Sequence, residues 1–70
     1  MITIQQAEKL LKGDYTFESL SFSMMIMRMK MLYEEDGSPE NLQRYTQEIN
    51  TYLEKFKFNM SADISTLQKL

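Results

Sequence analysis

The side chains in this sequence that could do chemistry are few, and each group lacks the partner its chemistry needs. Glu34, Glu35 and Asp36 form the one acidic cluster. Three consecutive acids do not supply the alternating oxygen ligands of a calcium loop, and they read as a solvated helix end. Seven methionines suggest Cu(I), because thioethers suit that ion, yet the chain has no histidine and no cysteine to complete such a site. Adaptable packing is the better account of so many thioethers. Ser19, Ser21 and Ser23 have no histidine to activate them, so no hydrolase triad can form. Tyr15, Tyr33, Tyr45 and Tyr52 have no evident neighbour to bring a hydroxyl down from its usual pKa of about 10. The run Lys55-Phe56-Lys57-Phe58 alternates base and aromatic, as single-strand nucleic-acid binders do. Four residues are a short run, and Phe56 also belongs to an apolar stripe. The expectation is a protein that is not an enzyme and that uses no cofactor and no metal.

Size points the same way. Seventy residues make at most one small domain, and a chain of this length buries only about 60% of its unfolded surface. Without cysteine no disulfide can staple it, and small scaffolds of this kind often gain stability by oligomerising. The formal charge is −2, from ten acids and eight bases mixed along the chain, with no block that calls for nucleic acid or for a basic partner. The longest apolar run, Met24 to Met27, is far too short to span a membrane. The first residues, Met-Ile-Thr-Ile-Gln-Gln, lack the basic flank and apolar stretch of a secretory signal. The expected location is the cytoplasm, or outside the cell by a route that reads no cleaved signal.

The elements that must position these residues read as helices, over about 4–12, 17–35, 39–58 and 62–69. Thr3 with Gln6 fits a capping box, and Ile4, Ala7, Leu10 and Leu11 give the first helix one apolar stripe. Gly13 is placed to end that helix in the left-handed conformation. Asp14 or Thr16 could cap the next. Asp36-Gly37-Ser38-Pro39 is the clearest punctuation: Gly37 ends one helix, Ser38 caps another, and Pro39 sits in its first turn. A loop this short makes its two flanking helices antiparallel neighbours. The third helix carries Leu42, Tyr45, Ile49, Tyr52, Leu53 and Phe56 largely at heptad a and d positions. Glu40, Arg44 and Glu48 follow at i, i+4 and i+8, where ion pairs form. A bend is expected near Asn59 to Ser61. The fold class is therefore all-α: an antiparallel helical hairpin with short N- and C-terminal helices.

The second helix is unusual in showing two apolar stripes. Met27 to Met31 alternates as a strand would, but 3-4 spacing continues for longer than the alternation, which favours helix. Phe17, Leu20, Met24, Met27 and Met31 fall on one side; Phe22, Ile26, Met29 and Tyr33 fall roughly opposite. A helix with two apolar sides needs two neighbours. The first stripe has the longer heptad register, so it is expected to face the third helix. The second, with Met25 and Leu32 beside it, is then expected to meet the N-terminal helix or to form a partner interface.

From Ser38 onward the sequence resembles the needle and inner-rod subunits of type III secretion systems. The shared pattern is a Ser-Pro turn followed by apolar or aromatic positions, here Pro39, Leu42, Tyr45, Ile49 and Tyr52, with Asn59-Met60-Ser61-Ala62-Asp63-Ile64, Leu67 and Leu70 in the last part. The short helical-hairpin chaperones of those subunits are similar in size. The resemblance covers about half of the chain; the methionine-rich second helix and Asp36-Gly37 depart from the family pattern. It implies a small helical assembly subunit or chaperone. Taken together, the residues point to a protein that binds a partner helix, or itself in a homo-oligomer, through a methionine-rich face. The alternative is a small regulator that grips nucleic acid through Arg28, Lys30, Lys55 and Lys57.

Overall fold

The computed structural model describes residues 1–56 and 61–70. It is all-α, with four helices in the order α1 (Ile4–Lys12), α2 (Leu20–Glu35), α3 (Pro39–Phe56) and α4 (Ser61–Gln68). The expected last turn of α3 at Lys57 and Phe58 and the expected bend at 59–60 lie outside the described residues.

Local chemistry accounts for most of the boundaries. Thr3 and Gln6 form the reciprocal capping box: the Gln6 amide donates to Thr3 Oγ1 at 3.1 Å, and the Thr3 amide donates to Gln6 Oε1 at 2.9 Å. Two of the free amides of the first turn are satisfied in this way. Gly13 does not take the left-handed conformation expected of it; with φ −88° and ψ −172° it is extended, and its amide closes α1 on the Lys9 carbonyl at 2.9 Å. Space explains the glycine instead, because a Cβ there would run into the Tyr15 ring. Likewise Asp36, not Gly37, closes α2, by an amide bond to the Leu32 carbonyl. A Cβ on Gly37 would stand 3.1 Å from the Tyr33 carbonyl oxygen and 3.2 Å from its ring. Ser38 caps α3 through the Asn41 amide, as its place before Pro39 suggests. Arg44 does not pair with Glu40 or Glu48; its guanidinium donates to Asn41 Oδ1 at 2.7 Å.

The α2 start differs most from expectation. The helix begins at Leu20 rather than Phe17, with Ser19 as its cap, accepting from the Phe22 amide at 3.2 Å. Residues 13–18 form an irregular connection, which α4 holds in place. Buried Asp63, in the first turn of α4, accepts from the Glu18 amide at 2.7 Å and from the Ser19 amide at 3.0 Å.

Across the Asp36–Ser38 connection α2 and α3 run antiparallel. Phe22 near the start of α2 lies beside Tyr52 near the end of α3, with ring centroids 5.4 Å apart, while Met29 and Tyr45 line a common groove nearer the connection. The hairpin is not the body of the fold, however. α1 packs across both helices and contacts α3 more extensively than α2 does. The core joins Ile2, Ala7, Leu10 and Leu11 to Phe22, Ile26 and Met29 of α2, to Leu42, Tyr45, Ile49 and Leu53 of α3, and to Leu67 of α4. Ile4 is exposed and Ile2 takes its place inside. Asn50 of α3 anchors that segment by accepting from the Ile2 amide at 2.8 Å and donating to the Ile2 carbonyl at 3.0 Å.

Candidate partner-binding surface

The orientation of α2 is the reverse of the one expected from heptad length. Phe22, Ile26 and Met29 are buried against α1 and α3. Leu20, Met24, Met27 and Met31 are instead 75%, 61%, 65% and 68% exposed. The physical reason lies in shape. Phe22 fits edge-on against Phe17, with centroids 4.7 Å apart and rings 83° from parallel, and continues through Tyr52 to Phe56 in a run of four contacting rings, the last two contacts tilted. Such aromatic pairs add to simple area burial, and no methionine stripe offers them. α1 and α3 pack against each other and both meet α2 on its inner face, which leaves the opposite stripe uncovered.

Several contacts fix this rotation of α2. Ser21 Oγ meets the Tyr52 hydroxyl, and the Lys30 ammonium donates to the Gly13 carbonyl. The Tyr33 hydroxyl donates to Glu8 Oε2 at 3.2 Å. The outward ridge is thus held on a rigid element. It is flanked on one side by Ser21, Arg28 and Glu35 and on the other by Ser23, Lys30 and Glu34. Beside it an open groove of about 500 Å³ runs between Met27, Met31 and Lys30 and the Tyr15–Phe17 segment.

The residues expected to form an interface are therefore redistributed. Phe22, Ile26 and Met29 are core, and a partner cannot reach them in this fold. Tyr33 and Met25 are half-buried against that core. Leu32 alone of the six is exposed, on a second groove with Arg28 and Arg44. The stripe left exposed is the one whose spacing points to the interior.

Arg28 and Lys30 flank opposite sides of the ridge, Lys55 is exposed near Phe56 on α3, and Lys57 lies outside the described residues. Among the described residues no three acidic side chains converge in a way that could hold a metal ion, and no helix is long and apolar enough to cross a membrane. The chemistry open to the ridge is apolar association with a charged rim. No protein-family model, no curated protein and no solved structure matches this chain.

Proposed function

We propose that this chain is a non-enzymatic interaction protein that binds an amphipathic helix, from another protein or from a second copy, along the outer ridge of α2. The observation that carries this reading is the exposure of Leu20, Met24, Met27 and Met31 in one unbroken stripe. A folded chain gains nothing by showing four large apolar side chains to water in a row, since each is worth about 1.5–3 kcal/mol when buried, and contiguous apolar patches mark binding surfaces. Methionine suits such a surface because its unbranched thioether adapts to a partner's shape. The mode is that of a helix laid against a helical face.

The type III secretion resemblance of residues 38–70 gives this reading a setting. A needle- or rod-like subunit would grow into filaments as concentration rises, whereas a chaperone would stop at a discrete complex. The test uses the Met24→Asp/Met27→Asp double variant, light-scattering mass across a concentration series, and a fluorescent amphipathic Leu/Lys helical peptide as probe. Helix content should be unchanged, because both side chains are outside. Self-association or probe binding by the native chain should weaken at least tenfold in the variant. If the native chain neither self-associates nor binds the probe, or if the variant behaves identically, the ridge is not a binding surface.

A further inference from the structure

The geometry points to a second copy of this chain as the occupant of the ridge, lying parallel and in register, α2 beside α2, with Lys30 of each copy paired to the partner's Glu35. This inference rests on the ridge being an interaction surface and adds what covers it and in which orientation.

The argument starts from the register. Leu20 and Met27 take heptad d positions and Met24 and Met31 take a positions, so the exposed stripe is a coiled-coil seam. The residues beside it are then fixed. Ser23 and Lys30 are at g; Ser21, Arg28 and Glu35 are at e. In a parallel pair each g residue faces the e residue of the partner five positions on. That sets Lys30 against the partner's Glu35, twice by symmetry, and leaves Ser23 beside the partner's Arg28. At the e and g positions no like charges meet; Glu34, at the d position after Met31, is the one charged residue that stands beside its own copy, at the exposed end of the seam. In an antiparallel pair with Met24 opposite the partner's Met27, g faces g and e faces e. Lys30 then faces the partner's Ser23 and Arg28 faces the partner's Ser21, and no ion pair forms. Charges at e and g select orientation and partner, and here they select the parallel copy.

α1 and α3 leave the seam open, and the Tyr15–Phe17 segment borders it on the Lys30 side. α1 and α3 pack on the face of α2 that carries Phe22, Ile26 and Met29, opposite the seam. Lys30 already donates to the Gly13 carbonyl, but an ammonium has three donors and can keep that bond while reaching across. Glu34, at the next d position, ends the seam beyond Met31, so the contact spans about 16 Å of helix. Four side chains make a small interface beside the roughly 800 Å² per partner of stable complexes. The dimer is accordingly expected towards the upper end of a concentration series, and weaker at high salt.

Charge reversal tests the pairing. Lys30→Glu and Glu35→Lys, each alone, should raise the dimer dissociation constant at least tenfold. An equimolar mixture should recover the dimer, because both cross pairs are then attractive. Orientation is read by single cysteines, which are unique in a chain without any. Leu20→Cys should cross-link to itself on mild oxidation. Cross-linking only in a mixture of Leu20→Cys with Met31→Cys would show the antiparallel pair and overturn the proposal. So would a dimer indifferent to both charge reversals. A native chain that stays monomeric yet binds the helical probe would overturn the second copy while leaving the interaction surface standing. Loss of both would remove the surface itself.

Discussion

Asp63 is the residue on which the positioning of α2 depends. A carboxylate taken almost wholly out of water, at 2% exposure, is tolerable only when hydrogen-bonded, and both of its oxygens are occupied by the Glu18 and Ser19 amides. Hydrogen bonds to a charged group contribute about 1.5–3 kcal/mol each. Asp63→Ala removes both and leaves two amides without their acceptor, so a loss of about 3 kcal/mol is expected. Asp63→Asn keeps one acceptor and should fall between the two. Urea unfolding with an unchanged slope measures this directly. An Asp63→Ala chain within half a kcal/mol of the native one would mean that water takes over both amides at no cost. None of this was legible in the sequence. Asp63 reads there as an ordinary acid in the first turn of a helix, and a bond to residues 44 and 45 positions away leaves no periodic trace. The same holds for Asn50, which reads as a polar position on an amphipathic helix yet anchors Ile2 at both backbone groups. The capping box at Thr3 and Gln6 was legible because it is local: donor, acceptor and spacing lie within four residues.

At the scale of the element, α2 shows how far periodicity carries. Spacing identifies a helix with two apolar sides, and the structure has both, except that Phe17, expected on the outer stripe, lies before the helix and packs against Phe22 on the inner side. Spacing does not say which side turns inward, because a count of apolar positions weighs a methionine like a phenylalanine. Packing does not. Phe22 closes a T-shaped contact with Phe17 and a tilted one with Tyr52, and Ile26 adds a stiff branched side chain with little rotamer freedom to lose. Methionine has three rotatable bonds to freeze. Expecting the hairpin to be the core also hid the contribution of α1, whose Ala7, Leu10 and Leu11 complete the socket around the inner stripe. Truncation separates the faces. Phe22→Ala is expected to cost about 3–5 kcal/mol, as for other buried aromatics, and Met27→Ala to stay within about 0.5 kcal/mol, as surface changes do. Equal losses at the two sites would mean that both stripes are buried in solution.

At the scale of the whole molecule, the methionines of α2 divide by face, and their oxidation reports on that division. Met29 lies in the core, Met25 is half-buried, and Met24, Met27 and Met31 stand on the ridge. Conversion to the sulfoxide follows exposure and turns an adaptable apolar side chain into a polar one. Limited peroxide treatment of the dilute protein, read by peptide mass mapping, should therefore modify Met24, Met27 and Met31 early and Met29 last. The order follows from the fold alone and needs no partner. The proposed association adds a second dependence. When the ridge is covered, its three thioethers are shielded, so their oxidation should slow as concentration rises while that of exposed Met1 does not. Fully oxidised ridges should in turn fail to associate, with helix content retained, because the core behind them is untouched. Met29 reacting as fast as Met27 in the dilute protein would contradict the burial of the inner stripe. Ridge oxidation at a rate independent of concentration would leave the fold in place and show that no second copy covers the ridge over that range.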